Sequence, residues 1–185
     1  MSKEEVERIQ PEPTWDGPRV FLDFNIADRP IGRVIIELRP DVCPRTCENF
    51  RQLCTGEHKP KGYPVGYKDT IMHRIIPGIL IQGGDVERND GTGVMSIYGY
   101  TFNDERSAFS FGETGIVGMA NMGPNTNGSQ FFITTANVEE LDGKYVAFGK
   151  VIDGMLTVRK IANVPLVPDS ETPTLKIYVA QCGEL

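Results

Sequence analysis

Uncharged polar side chains set among apolar residues are the most distinctive chemical feature of this 185-residue sequence. They concentrate in two segments, 73–85 (HRIIPGILIQGGD) and 118–133 (GMANMGPNTNGSQFFI). The first sets Arg74 and Gln82 between apolar residues, and in the second Gln130 stands directly before two Phe residues. Because Asn and Gly favour turns, a long structured loop would also account for much of the second segment. A pocket with apolar walls and a few fixed amides suits a neutral peptide better than a charged metabolite.

Motifs of nucleophilic, phosphate-binding and metal-dependent enzymes are not found in the sequence. It has no G-x-S-x-G motif and no P-loop. The acidic residues Asp85, Glu87 and Asp90 lack EF-hand spacing, so we expect them to lie in a solvated loop. A zinc site needs about four nitrogen or sulfur ligands, whereas the sequence has two His and places Cys43 and Cys47 on a predicted helix. We therefore expect no metal site.

The length and charge of the chain are those of one acidic domain. A chain of 185 residues is long enough to bury a core, and its net charge is −6. Proteins that bind nucleic acid normally carry a basic stripe, but here Lys and Arg are scattered, so we expect no direct contact with nucleic acid. No stretch approaches the roughly 18 apolar residues of a membrane span, and the N-terminus has no apolar signal-peptide region. We expect a cytoplasmic protein that binds no membrane, with the nucleus as the alternative location.

Residues 1–17 are expected to form a flexible extension, followed by a single domain over residues 18–185. The extension is rich in Glu, which keeps it solvated, and it contains Pro11 and Pro13, which suit an extended segment. It also holds Trp15, the only Trp of the chain. We expect Trp15 to pack on the domain surface, since isolated surface aromatics are common, and a role as an anchor for a partner is the alternative.

Short apolar runs that alternate with polar residues predict a fold built mainly from antiparallel strands. The first two runs, which end at Ile26 and Leu38, flank a predicted turn over residues 28–32. Helical spacing predicts one helix over residues 44–53 and a second that begins near Gly154. The other predicted strands are the apolar runs at 71–76, 79–82, 116–120, 130–134, 146–151 and 175–182. Many short strands with frequent turns indicate a barrel or a sandwich, and two helices would cap an antiparallel barrel.

The polar segments and their neighbours resemble the cyclophilin family of peptidyl-prolyl cis-trans isomerases. The resemblance covers the chain from about Val20 to Leu185, with the motifs in the family's order. They are FRQLCTGE (50–57), HRIIPG (73–78), QGGD (82–85), GTG with SIYG (91–99), MAN with GPNTNGSQFFIT (119–134), LDGK (141–144) and VAFGKV (146–151). The resemblance implies an all-β dominated fold, an eight-stranded antiparallel β-barrel capped by two α-helices. A longer loop over residues 56–68 and the ending QCGEL are most similar to the spliceosome-associated cyclophilin H type.

The reaction that this resemblance implies is rotation about X-Pro peptide bonds, which assists protein folding. Delocalisation of the nitrogen lone pair gives a peptide bond a rotational barrier of about 18–20 kcal/mol, and before Pro the two isomers differ by only about 0.5–1 kcal/mol. Rotation breaks no bond, so it requires no nucleophile, metal or cofactor. It requires a site that binds the twisted amide more tightly than either planar isomer.

Arg74 is the catalytic residue that the resemblance implies. Its cation would stabilise the lone pair of the prolyl nitrogen as that pair becomes localised during rotation. Without the resemblance, Arg74 would be interpreted as a surface residue in an ion pair. The other implied site residues are expected to bind the substrate. They are Ile79, Leu80, Phe132 and Leu141 around the proline ring, Gln82, Asn121 and Gln130 along the flanking backbone, and Gly91, Ala120, Met122 and Tyr145 along the groove.

Five positions depart from the usual pattern of the family. Ile79 stands in place of Phe and Leu80 in place of Met, which keeps the pocket apolar but removes aromatic stacking worth about 0.5–1.5 kcal/mol. Met122 replaces a small residue, and Tyr145 replaces His. Glu140 stands where many members have Trp, so it removes an indole donor and adds charge at the groove edge. Cyclosporin, the cyclic peptide inhibitor of the family, is therefore expected to bind weakly.

The expected partners are proline-containing peptides and protein clients, with a spliceosomal protein as a further candidate, and we expect a monomer. A second hypothesis is a proline-peptide binding or scaffold module of a larger complex with weak catalysis, which the departures at the groove favour. A third, a redox-controlled chaperone, rests on Cys54 and Cys182, whose positions resemble a proposed switch pair of some divergent-loop cyclophilins. Two separate reduced thiols are the preferred interpretation inside a cell.

Overall fold

The computed structural model describes residues 16–185. Trp15 and all but the last two residues of the predicted extension therefore lie outside the described residues. The described part forms eight β-strands, two α-helices and one short 3-10 helix. They are β1 (Arg19–Ile26), β2 (Arg29–Leu38), α1 (Pro44–Thr55), β3 (Arg74–Ile76), β4 (Leu80–Gly83), β5 (Ile116–Met119), β6 (Phe131–Thr134), the 3-10 helix (Glu139–Leu141), β7 (Ala147–Asp153), α2 (Met155–Ala162) and β8 (Ile177–Glu184).

All eight strands pair antiparallel in one sheet, in the order β3-β4-β6-β5-β7-β2-β1-β8. The chain just before β3 joins the two edges of this sheet. Met72 N–H donates to the carbonyl of Ile177 at 2.8 Å, and Ile71 bridges to Tyr178. Joining the edges leaves fewer unpaired backbone groups exposed. The predicted all-β dominated fold, with eight antiparallel strands and two helices, is confirmed.

The core is organised around the ring of Phe50 on α1. The ring centroids of Tyr67, Phe131 and Phe148 lie 5.0, 5.2 and 5.0 Å from that of Phe50. Such aromatic pairs contribute about 0.5–1.5 kcal/mol each beyond their buried area. The hydroxyl of the buried Tyr67 donates to the carbonyl of Ser129 at 2.7 Å, so its polar group is satisfied. The cluster fixes α1 against β6 and β7.

The turn between β1 and β2 occupies Ala27 and Asp28, rather than the predicted residues 28–32. Pro30 lies inside β2, in a stretch that pairs with β1 alone, because β7 joins β2 only from Ile35 onwards. A strand with one neighbour tolerates a residue that has no N–H to donate. The predicted extent of this turn is therefore wrong, since Pro is accepted by a one-sided strand as well as by a turn.

Both predicted helices are confirmed. Pro44 occupies the first turn of α1, where its missing N–H costs nothing. The helix continues to Thr55, slightly beyond the predicted end, and stops at Gly56 with a left-handed φ of 78°. The second helix begins directly after Gly154, as predicted.

The four cysteines are free thiols. Burial raises the pKa of Cys54 well above its ordinary value and raises the pKa of Cys182 to about 11. Because the thiolate is the reactive form, burial makes both thiols weak nucleophiles near neutral pH, and two separate reduced thiols stay a prediction. Among residues 16–185, no three His, Cys, Asp or Glu side chains are grouped as metal ligands. In the same part of the chain, every helix is too short or too polar to cross a membrane.

Candidate active site

Arg74 and Gln82 face each other across two short strands. Arg74 opens β3 and is paired in register with Gln82 of β4, so the two side chains lie on the same face of the sheet. Arg74 Nη1 donates to Gln82 Oε1 at 3.2 Å. The strand pairing therefore brings the predicted catalytic cation into contact with one of the amides predicted to bind peptide backbone.

A chain of hydrogen bonds continues from Gln82 into the next loop. Gln82 Nε2 donates to Gln130 Oε1 at 3.1 Å. Gln130 Nε2 in turn donates to the carbonyls of Gly91 and Gly93 at 2.9 and 3.0 Å. An Arg side chain has no acceptor, so Arg74 determines which end of the Gln82 amide faces it, and the orientation of Gln130 follows. Both amides are thus oriented by the protein's own contacts.

The loop that carries Gly91 and Gly93 is folded around the carboxylate of Asp85. This residue is 1% exposed, and its carboxylate accepts hydrogen bonds of 2.9–3.2 Å from five backbone N–H groups. The donors are Glu87, Arg88, Asp90, Gly91 and Gly93. Burial by itself raises the pKa of Asp85, but the backbone hydrogen bonds together outweigh burial and lower the pKa to about 2. The prediction of a solvated Asp85 is wrong, because residue spacing does not reveal that the loop turns back on this carboxylate.

Gly91 allows the same loop to approach β3 closely. Its φ is 91°, and a Cβ at this position would lie 2.6 Å from the ring of His73. Burial lowers the pKa of His73, so at neutral pH its imidazole adds no positive charge beside Arg74.

The predicted apolar residues meet in a small cluster apart from the main core. Phe132 is 2% exposed, and the ring centroids of Phe111 and Tyr145 each lie 5.4 Å from its own. The other predicted members are Leu80, which is buried, and Ala120 and Leu141, which are partly buried. This cluster provides an apolar wall with a partly exposed margin.

A cavity of about 100 Å³ adjoins the cluster at Ala120. Its lining brings together the residues predicted to lie along the flanking peptide. They are Gln82, Gly91, Ala120, Asn121, Met122 and Gln130, and the lining is completed by Gly93, Val94, Thr126 and Gly128. We call this cavity the groove. Met122 is 84% exposed, so its side chain lies at the rim of the groove.

Two predicted site residues are placed differently from the rest. The side chain of Asn121 donates to the carbonyl of Lys144 at 2.9 Å and accepts from the N–H of Gly123 at 3.1 Å, so it ties two loops together. Ile79 is 38% exposed at the turn between β3 and β4, outside the apolar cluster. The structure therefore brings most predicted residues together but gives the Asn121 amide an internal role.

Arg74 also lines a second cavity, of about 600 Å³. The lining comprises His73, Arg74, Asp90, Asp169, Ser170, Glu171 and Thr172. Arg74 Nε donates to the carboxylate of Glu171, and the two side chains are 43% and 47% exposed. Arg74 is therefore an ion-pair residue as well as a neighbour of the groove.

Comparison with known proteins assigns the chain to a family. The family model described as cyclophilin type peptidyl-prolyl cis-trans isomerase/CLD matches residues 21–184. This chain belongs to the cyclophilin family. It is 54% identical to peptidyl-prolyl cis-trans isomerase 11 of Caenorhabditis elegans over 170 residues, which are 92% of each chain. It is 50% identical over 169 residues to peptidyl-prolyl cis-trans isomerase H of Rhizopus delemar, covering 91% of this chain and 94% of that one. It is 52% identical over 156 residues to peptidyl-prolyl cis-trans isomerase H of Mycosarcoma maydis, covering 84% and 99%.

The resemblance predicted from the motifs is confirmed, both for the family and for the cyclophilin H type. The protein is accordingly a peptidyl-prolyl cis-trans isomerase, and proline-containing peptides are the ligands of its family.

Three residues that contact the candidate site are not among those predicted. Phe111 packs against Phe132 in the apolar cluster, the carbonyl of Gly93 accepts a hydrogen bond from Gln130, and Glu171 pairs with Arg74. The two Phe residues of the segment 108–111 (AFSF) are a sequence signal that could have pointed to Phe111. No spacing rule connects Glu171 with a residue 97 positions away.

We expect Asp85→Asn to destabilise the protein, because an amide replaces an acceptor-only group that faces five N–H donors. Buried donors without a partner cost about 1–3 kcal/mol each, so we expect a loss of roughly 3 kcal/mol in the free energy of unfolding at pH 7, measured with urea. The exposed Asp28→Asn in the β1–β2 turn is the control and should change little.

The destabilisation caused by Asp85→Asn should depend on pH. The folded pKa of about 2 lies below the ordinary value of 3.8, so the carboxylate's stabilisation is complete above pH 4 and is lost as the pH falls towards 2. A stability difference between the variant and the unmodified protein that stays constant between pH 5 and pH 2 would contradict this assignment.

Proposed function

We propose that this cyclophilin accelerates rotation about X-Pro bonds with Arg74 as its catalytic residue. Twisting the amide removes delocalisation, so a lone pair becomes localised on the prolyl nitrogen and accepts a hydrogen bond. An N–H of Arg74 is the donor in this proposal. The observation that carries it is the contact of Arg74 Nη1 with Gln82 Oε1 at 3.2 Å, which holds the guanidinium beside the groove.

Arg74 has donors left over for a substrate. A guanidinium has five N–H groups, and within the described residues the partners of Arg74 are Gln82 and Glu171, which engage Nη1 and Nε. A donor that is already oriented needs no reorganisation when the charge on the prolyl nitrogen changes, which is the condition for electrostatic catalysis.

The proline ring is proposed to pack against the cluster centred on Phe132. Leu141 and Tyr145 are only partly buried, so they offer apolar surface at the margin of the cluster. Leu80 and Phe111 are buried and support Phe132 from inside. Such a pocket binds the ring in either isomer and leaves the neighbouring amide free to turn.

The peptide that flanks the proline is proposed to lie along the groove lined by Gln82, Gly91, Ala120 and Gln130. The Asn121 side chain is engaged by Lys144 and Gly123, so its main-chain N–H and C=O are the groups proposed to bind peptide backbone. Holding one side of the amide while the ring side turns is what favours the twisted state.

A proline-peptide binding or scaffold module with weak catalysis is the second candidate. It is favoured by Met122, a large exposed apolar side chain that lines the groove, and by Glu140, an exposed charge on the same 3-10 helix as Leu141. The proposed partners are proline-containing protein clients and a spliceosomal protein, the latter on the resemblance to the cyclophilin H type. A monomer, a single domain over residues 18–185 and a cytoplasmic location, with the nucleus as the alternative, remain predictions.

We expect the protein to accelerate cis-trans exchange of an Ala-Pro peptide, measured by exchange NMR, and Arg74→Ala to reduce this catalysis by about tenfold or more. A tenfold loss corresponds to about 1.4 kcal/mol of transition-state stabilisation. The thermal midpoint should stay nearly unchanged, since the Arg74 side chain is 43% exposed. Arg19→Ala is the matched control, because Arg19 is also exposed and forms an ion pair, with Glu37. No acceleration by the unmodified protein would favour the binding module, and equal rates for Arg74→Ala would remove Arg74 from the mechanism.

We expect weak binding of cyclosporin and a gain of about a hundredfold in affinity on Glu140→Trp, measured by calorimetric titration. Glu140 is exposed on the 3-10 helix, and its carboxylate cannot donate to the ligand and must stay hydrated. A restored indole donor and contact face together contribute about 2–3 kcal/mol.

The neighbouring Glu139→Trp is the control for this experiment, because Glu139 is also exposed on the 3-10 helix. It should leave the affinity low. Nanomolar binding by the unmodified chain, or no gain on Glu140→Trp, would contradict the prediction.

A further inference from the structure

The loop before β8 carries Glu171, whose carboxylate contacts Arg74. This loop, residues 166–174, is braced by its own hydrogen bonds, with Val167 N–H donating to the Thr172 carbonyl at 2.8 Å. It is also fixed to β3, because the N–H of Ile75 donates to the main-chain carbonyl of Glu171 at 2.8 Å. The backbone of Glu171 is thus bonded to the residue that follows Arg74 in β3, and its side chain reaches the guanidinium.

The guanidinium of Arg74 is consequently held at two of its three nitrogens. Nε donates to the Glu171 carboxylate, and Nη1 donates to Gln82 Oε1 at 3.2 Å. Because the guanidinium is planar and rigid, two such contacts fix its plane and its direction. With only one of these contacts, the guanidinium could still rotate about that contact.

This ion pair has little to do with the stability of the fold. Both side chains are nearly half exposed, and exposed ion pairs contribute little to the free energy of unfolding. Its effect is to restrict a long side chain with many rotamers before substrate arrives. Restricting a reacting group in advance lowers the activation barrier when the restricted geometry is the one used in the transition state.

We propose that Glu171 is a positioning residue of the isomerase, which holds the Nε edge of Arg74 so that the remaining N–H groups address the prolyl nitrogen. This inference rests on the proposed catalytic role of Arg74, since Glu171 acts only through it. The positioning is used in the transition state, where the prolyl nitrogen becomes an acceptor. Its loss should therefore lower kcat more than it raises KM.

The test compares Glu171→Ala and Glu171→Gln in exchange NMR at several concentrations of an Ala-Pro peptide. We expect Glu171→Ala to lower kcat by about threefold to tenfold with KM within about twofold. Glu171→Gln keeps an acceptor oxygen for Nε and should recover part of the loss. Glu57→Ala is the matched control, because Glu57 is 51% exposed and pairs with an arginine of α1, Arg51. It should leave kcat and the thermal midpoint unchanged.

A spectroscopic measurement separates positioning from a general effect on folding. The Nε–H signal of Arg74 should be resolved and slowly exchanging in the unmodified protein and in Glu171→Gln, and averaged with solvent-exposed arginines in Glu171→Ala. In the Arg74→Ala background, adding Glu171→Ala should cause no further loss of rate.

The outcomes distinguish this inference from the proposed function. Full activity of Glu171→Ala alongside slow Arg74→Ala would overturn the positioning role and leave Arg74 as the catalytic residue. A faster Glu171→Ala would show that the carboxylate competes with substrate, which also overturns it. Full activity of Arg74→Ala would overturn both.

Discussion

The site depends on one chemical constraint, which is that Arg74 donates hydrogen bonds and accepts none. The oxygen of Gln82 must face it, so the NH2 group of Gln82 faces Gln130, and the NH2 group of Gln130 faces the carbonyls of Gly91 and Gly93. Reversing either amide would place two donors or two acceptors against each other. Arg74 therefore determines which amide groups along this side of the groove face as donors and which face as acceptors.

The other end of this chain is fixed by a group of the opposite kind. Asp85 accepts and does not donate while ionised, and it gathers the backbone N–H groups of the loop whose carbonyls receive Gln130. A donor-only cation and an acceptor-only anion thus hold the amides between them, next to the apolar cluster of Phe132. Rotation about a peptide bond involves no bond cleavage, so an already oriented site of this kind is what the proposed catalysis by Arg74 requires.

Much of the fold and most of the site follow from local sequence. Alternating apolar residues predict the strands, and Pro44 and Gly56 mark the ends of α1, because these signals act within a few residues. The family motifs predict which residues line the groove. What local sequence misses depends on contacts between distant segments, such as the fold of the loop around Asp85 and the pairing of Glu171 with Arg74 across 97 residues. Local sequence also does not show that the Asn121 amide is already engaged, by the carbonyl of Lys144 and the N–H of Gly123.

We expect the planar geometry of the Arg74 guanidinium, and not its charge alone, to promote rotation. Exchange NMR of an Ala-Pro peptide with Arg74→Lys tests this, because Lys keeps the charge but replaces the three guanidinium nitrogens by one ammonium nitrogen. A single ammonium does not reproduce the rigid contacts with Gln82 and Glu171 while it addresses the prolyl nitrogen. We expect a loss of about tenfold or more in the catalysed rate. A Lys variant that catalyses exchange at the rate of the unmodified protein would contradict it.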